Sequence, residues 1–322
     1  MCGARRTARE RVLEVCLGIM AAACGGCGAG TFAARSPDTT PGLPADGERA
    51  VMFAPGVVST GDVFASTFTP DGRTVVFTKF SPPRMTLMTS SFANGGWSTP
   101  QALPFSGTYR DLDPSFSPDG SRLYFSSWRP SSSSPADTTN GADTWYVGRR
   151  GDGWGEPVRL AEPVNGAEVD MYPSVTRRGV LYFDSFRSRP RRRLVYRAEP
   201  RGDGTLAAPV ALDPIINADS GASNLFVDAD ERYVVFAAVR SDGVGALDLY
   251  ISWRTGSSTW SPPLNLGSDV NTAGTEFCPF VSRDGRFLFF TRISPPNVTP
   301  ITRNIYVVRF DSLQSRLKRR AP

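Results

Sequence analysis

The sequence predicts an all-β chain: a single β-propeller of five blades, each of four antiparallel strands, closed by the N-terminal strand. Three observations predict it. First, five segments share one pattern: "STFTPDGRTVVFTK" from Ser66, "PSFSPDGSRLYFSS" from Pro114, "PSVTRRGVLYFDS" from Pro173, "LFVDADERYVVFAA" from Leu225 and "PFVSRDGRFLFFTR" from Pro279. Second, their turn positions, Asp71, Asp119, Arg178, Asp230 and Asp284, advance by 48, 59, 52 and 54 residues, a blade-sized period. Third, the stretch ahead of the fifth unit, "PLNLGSDVNTAGTEF" from Pro263, aligns with "VMFAPGVVSTGDVF" from Val51, and no such stretch follows "NIYVVRF" from Asn304. The segment at Val51 is therefore expected to supply the outer strand of the last blade, which removes the exposed sheet edges.

Within a unit each element has its own signature. An alternating apolar strand runs into Asp-Gly, where Gly accepts the positive φ of a tight reversal. Asp71, Asp119, Asp230 and Asp284 are accordingly structural turn residues. The second strand, such as "LYFSS" from Leu123, is apolar or small throughout, as a strand packed on both faces requires. The third alternates aromatic and polar residues: "DTWYVGRR" from Asp143, "RLVYRAE" from Arg193, "DLYISWR" from Asp248 and "NIYVVRF" from Asn304. The fourth is a Trp-x-x-Pro element beginning at Trp97, Trp154 and Trp260, with "LAAPVAL" from Leu206 in unit three. Proline confines that element to a strand start or a sheet edge. The recurrence of its Trp in register marks blade packing.

Composition bounds the chemistry. The chain has 322 residues with 20 Phe, 9 Tyr and 6 Trp, enough apolar surface for a sizeable core. It has no His, which excludes Ser-His-Asp and Cys-His mechanisms and His-ligated zinc. All but Lys79 and Lys318 of its 36 basic residues are Arg. The formal charge of +5 collects at the two ends and leaves the body near neutral, so nucleic acid is not an implied partner. No motif implies a metal or another cofactor.

Four regions are expected. Residues 1–23 read as a lipoprotein-type signal peptide: Arg5, Arg6, Arg9 and Arg11 precede an apolar stretch, and Ala21-Ala22-Ala23 precedes Cys24. Cys24 is the expected lipidation site, with ordinary cleavage and plain secretion as the alternative. Residues 24–50 read as a flexible tether, 51–311 as the propeller and 312–322 as a solvated basic tail. Cys278 is the one body cysteine, so no disulfide framework is expected.

The segments "FSPDGSRLYF", "VSRDGRFLFF" and "DLYISWR" with "PLNLG" resemble the WD40-like PD40 repeats of the TolB-type propeller family. The resemblance spans about Val51 to Phe310. It implies an exported protein of the bacterial envelope, periplasmic or held at the outer membrane by an N-terminal lipid. It implies, by analogy of fold, an envelope protein or glycan as partner.

Three sets of residues are candidates for function. Asp111, Asp170 and Glu276 stand at matching places ahead of the anchor of units two, three and five, where units one and four carry Val63 and Ala222. They could converge on the channel as a ligand site, serve carboxylate glycoside chemistry, or brace each blade. Arg189, Arg191, Arg192 and Arg193 form a candidate patch for an anionic partner, or a solvated loop. The insertion Pro130 to Ala142 is a Ser-rich loop that either binds or is simply flexible. The expected function is a monomeric, non-enzymatic binding module presenting loops to a partner. Its alternatives are a glycosidase-like enzyme using the three acids and an assembly scaffold without a discrete ligand.

Overall fold

The computed structural model describes residue 43 and residues 49–130, 141–218 and 222–320. The signal segment, Cys24, most of the tether and most of the Pro130–Ala142 insertion lie outside the described residues. Five antiparallel sheets form a ring. Blade one holds Val63–Phe68, Thr74–Ser81 and Arg84–Ala93, with its fourth position in two pieces, Gly96–Trp97 and Gln101–Ala102. The break falls at Pro100, which has no N–H to give to the ladder. Blade two repeats this with Asp111–Phe116, Arg122–Ser127 and Asp143–Arg150, its outer pieces flanking Pro157. Blade three is Asp170–Val175, Leu181–Ser185, Leu194–Ala198 and Val210–Ala211; blade four is Ser223–Val227, Tyr233–Ala238, Asp248–Trp253 and Leu264–Asn265.

Blade five takes Thr275–Val281, Phe287–Ile293 and Arg303–Arg309 from the chain's last third and Val51–Met52 from its start. Val51 lies opposite Val307 and Met52 opposite Tyr306, which is the closure expected from the sequence. The next residue, Phe53, is fully buried and meets Phe68, Trp97 and Phe289 edge-on, with ring centroids 5.5, 5.3 and 5.2 Å away. Its ring joins blade five to blade one.

Every inner strand carries a bulge with one left-handed residue: Ala65 (φ 48°), Asp113 (φ 55°), Tyr172 (φ 56°), Asn224 (φ 52°) and Cys278 (φ 50°). In four of the five, the preceding blade's second strand accepts the N–H of that residue. Thr291 Oγ1 accepts from Ala65 at 2.9 Å, Thr78 Oγ1 from Asp113 at 3.3 Å, Ser126 Oγ from Tyr172 at 3.1 Å and Asp184 Oδ2 from Asn224 at 2.9 Å. Blade four presents Ala237 at this place. A second recurrent contact fixes the loops that enter the inner strands. Ser59, Ser106, Asn165, Asn217 and Asn271 each accept an N–H from a third strand, at Ile305, Leu87, Thr144, Val195 and Leu249.

The Asp-Gly turns of blades one, two and five share one hydrogen-bond pattern, and blade four departs from it. Asp71, Asp119 and Asp284 each accept a hydroxyl, from Thr69, Ser117 and Ser282, and the backbone N–H two residues on. In blade four Asp228 accepts the N–H groups of Asp230 and Arg232, while Asp230 pairs with Arg177. The turn glycines Gly72, Gly120, Gly179 and Gly285 have φ of 67–82°, and Glu231 fills the equivalent place at φ 57°. A side chain here is strained. The Glu231 carboxylate, however, accepts Tyr182 Oη at 2.7 Å, Arg178 at 2.7 Å and Arg197 at 3.0 Å, and Arg254 lies 3.2 Å away. Burial alone would raise its pKa, but the Tyr182 hydroxyl and these guanidinium groups lower it to about 2.

The expected solvated tail is corrected. Phe310–Lys318 is a helix whose Phe310, Leu313 and Leu317 are buried in the core with Val235, Ile251, Leu266 and Leu288 of blades four and five. Three apolar residues on one face drive it against the ring, while Arg316 at the flank pairs with Asp269 and Lys318 stays exposed. No helix among the described residues is long and apolar enough to cross a membrane.

Phe53→Ala removes the aromatic joint of the closure. It should destabilise the full chain by about 3–5 kcal/mol, measured by equilibrium chemical denaturation.

Candidate functional site

Asp111 and Asp170 open the inner strands of two blades, Glu276 is the second residue of a third, and all three are fully buried. Each is bound inside its own blade. Asp111 accepts Ser127 Oγ at 2.6 Å, Arg129 at 2.8 Å and Ser106 Oγ at 2.9 Å. Asp170 accepts Arg187 at 2.6 Å and the N–H of Gly166 at 3.0 Å. Glu276 accepts Thr272 Oγ1 at 2.6 Å, Arg292 at 2.8 Å and the N–H of Thr272 at 3.1 Å. Burial raises the Asp170 and Glu276 carboxyls above their ordinary range even against these partners. The arginines do a matching job. Arg129, Arg187 and Arg292 also donate to loop carbonyls, of Phe105, Val164 and Val270. Blade four keeps the arginine without the acid: Arg240 donates to Ile215 O and lies over Phe236 and Tyr250.

The arginine loop 186–193 joins two strands at the face opposite the Asp-Gly turns. Arg189 and Arg191 both bond Glu168, at 3.2 and 2.9 Å. Arg193 turns inward, donating to Asp184 at 2.5 Å and lying 4.8 Å over the Tyr172 ring. Arg192 stays exposed. Trp97, Trp154 and Trp260 all pack within or between blades, Trp154 lying under Arg149 and against Phe116.

Two regions were not visible in the sequence. One is the channel wall. A cavity of about 40 Å³ is lined by all five inner strands, including Asp113, Tyr172, Asn224 and Cys278. Asp113 Oδ2 accepts Ser126 Oγ at 3.1 Å, while Asp113 Oδ1, Asp184 Oδ1, Asn224 Oδ1 and Ser66 Oγ are buried without a hydrogen bond. Burial drives the Asp113 carboxyl well above the usual Asp range, and the nearby Asp184 charge adds to that rise. That cavity has room for water but not for a sugar ring.

The other region is the turn face. The channel mouth there is a cavity of about 130 Å³ walled by Phe116, Phe226, Tyr233 and Phe280 and by turn residues of four blades. A cavity of about 240 Å³ lies between the turns of blades one and five, and one of about 570 Å³ between those of blades two and three. Arg283, from the turn of blade five, lines all three. It is exposed and makes no hydrogen bond or ion pair among the described residues.

Two tests follow from this geometry. Asp111→Ala leaves Arg129 buried without its counter-charge and should cost about 3–5 kcal/mol in denaturant unfolding. Asp113 holds its proton in the fold at pH values where the unfolded chain releases it. Its contribution to stability is present below the ordinary Asp range and is lost as pH rises through the elevated value. Asp113→Asn should flatten that part of the stability–pH profile, read by denaturation across the acid-to-neutral range.

No protein-family model matches the chain, and no curated protein matches it. Solved structures do. TolB from Acinetobacter baumannii is 15% identical with a TM-score of 0.49; the match covers 84% of this chain and 66% of TolB. A thermostable family-43 glycoside hydrolase is 12% identical with a TM-score of 0.54, covering 79% of this chain and 91% of the hydrolase. The catalytic domain of the Coprinopsis cinerea GH62 α-L-arabinofuranosidase is 15% identical with a TM-score of 0.53, covering 82% and 97%. These are likenesses of fold. They overturn the expectation that the chain is not an enzyme, because glycoside hydrolases are built on the same ring and this architecture excludes no such chemistry. What this chain shares with the two hydrolases is the β-propeller fold.

Proposed function

We propose that this chain is an exported propeller that binds a protein or glycan of the bacterial envelope through its turn face. One observation carries the reading: three cavities open on that face, and a single unpaired guanidinium, Arg283, lines them all. On the opposite face, Arg189, Arg191 and Arg193 are taken up by Glu168 and Asp184. Rigid blades with open volume at one mouth suit recognition by preformed shape. Export rests on the charged and apolar layout of residues 1–23, and attachment by lipid on Cys24.

A second reading, cleavage of a glycan, has one observation in its favour. The family-43 and GH62 hydrolases, at TM-scores of 0.54 and 0.53, share this chain's ring fold. Release of arabinose from arabinoxylan by the purified full chain would establish it, and no release would remove it.

The binding reading is tested by photo-crosslinking in native membranes. A benzoylphenylalanine in place of Arg73, on the turn face, should capture a specific partner. The same group in place of Arg192, on the opposite face, should not. Capture from the Arg192 position alone, or no specific product from either, would overturn the turn-face assignment.

A further inference from the structure

We propose that the turn-face cleft between blades two and three binds an anionic sugar, one carrying a carboxylate or a phosphate, with Arg283 as the residue that grips the charge. The inference rests on the turn face being the recognition surface. It adds where on that face a ligand sits and what chemistry it has.

Size selects this cleft. At about 570 Å³ it falls among ordinary small-molecule sites, whereas the channel cavity of about 40 Å³ and the mouth of about 130 Å³ do not admit a sugar ring.

Charge selects the ligand class. Three arginines line the cleft: Arg122, Arg177 and Arg283. The one acid lining it, Asp119, is occupied, accepting Ser117 Oγ at 2.6 Å, Ser121 Oγ at 2.9 Å and the N–H of Ser121 at 3.0 Å. Arg122 lies over the Tyr146 ring and Nη1 donates to Tyr124 Oη at 3.5 Å, and its guanidinium makes no ion pair with a carboxylate among the described residues. Arg177 is held only by an ion pair to Asp230 in which both side chains are exposed, and such a pair yields readily to a competing anion. Arg283 has no hydrogen-bond or ion-pair partner among the described residues. A guanidinium fork matches the geometry of a carboxylate or a phosphate with two parallel hydrogen bonds.

Placement supports a ligand role for Arg283. Every other residue lining this cleft comes from blades two and three, whereas Arg283 arrives from blade five across the channel mouth. No contact within the fold accounts for that reach. A bare anion would fill only a small part of the volume. A sugar ring fills the rest, its C–H face lying on Pro118, Tyr124 and Val175 and its hydroxyls meeting Ser121 and Thr176.

The test is calorimetric titration of the full chain with four probes: an oligogalacturonate, glucose 6-phosphate, neutral maltotriose and inorganic phosphate. At least one charged sugar should bind, with an affinity that falls as salt rises. Arg283→Ala should weaken that binding by roughly tenfold or more, Arg283→Lys by less, and Arg192→Ala on the opposite face by no more than about twofold. The first two probes separate carboxylate from phosphate recognition. Because Arg283 is exposed and unpaired, its variants should fold, which circular dichroism checks. Binding of maltotriose or of inorganic phosphate as tight as that of the charged sugars would overturn the proposal. So would full affinity in Arg283→Ala, or no binding of either charged sugar. If both charged sugars fail while the Arg73 position still captures a partner, this inference falls and the turn-face reading stands.

Discussion

A bulged amide in four of the five inner strands, held by the blade before it, is the contact on which the ring depends. A non-glycine residue at positive φ costs about 1–3 kcal/mol and persists only where its surroundings enforce it. Here five such residues recur at one level of the channel. In four of them the strain turns the amide out of its own ladder and toward the neighbouring blade, where Thr291, Thr78, Ser126 or Asp184 receives it. Blade order and spacing are thereby fixed by hydrogen bonds, with apolar packing filling the space between. Asp184 is the one acceptor of the four with a charge. Its presence draws Arg193 inward and raises the cost of ionising Asp113, so a structural contact also sets the electrostatics of the channel.

The two ends of the described chain meet at blade five. Val51–Met52 completes that sheet, and the helix Phe310–Lys318 wedges between blades four and five. That junction is the one where blade four offers Ala237 in place of a hydroxyl or carboxylate acceptor. Apolar burial by Phe310, Leu313 and Leu317 reinforces the seam that lacks the side-chain clamp. A ring is as stable as its weakest junction, so packing at one seam substitutes for polar capture at the others.

Blade number and turn positions were legible in the sequence because the turn unit repeats five times, and the proline-marked outer strand and the closure followed from comparing one unit with the next. What did not repeat was hidden. Glu231 stands where four blades have Gly, and only the arrival of Tyr182 and three arginines explains how it is tolerated. The positions of Asp111, Asp170 and Glu276 could be read, but not the arginines that close on them, since Arg129 and Arg187 lie two residues past their strands while Arg292 lies inside Phe287–Ile293. The helix was masked by Arg316, Lys318, Arg319 and Arg320, which disguise an apolar stripe at three- and four-residue spacing. Arg283 has no distinguishing sequence context at all. Arg73 and Arg286 flank similar turns, and lack of a partner is a property of three dimensions.

Charge in this protein is organised by pairing, and the exception is what gives one face its character. A chain that uses arginine almost exclusively gains five fixed donors per cation, and the fold employs them repeatedly on buried carboxylates and loop carbonyls. Asp111, Asp170, Glu276, Asp184 and Glu231 each hold at least one guanidinium. These pairs act within or between blades and leave little net field outside. The turns of blades one, two and five break the pattern, because Asp71, Asp119 and Asp284 are held by hydroxyls and backbone amides instead of by arginines. An Asp satisfied in this way braces its own turn and leaves the neighbouring guanidinium groups without a buried counter-charge. The turn chemistry that lets the strands reverse is therefore also what leaves Arg122 and Arg283 available around open volume.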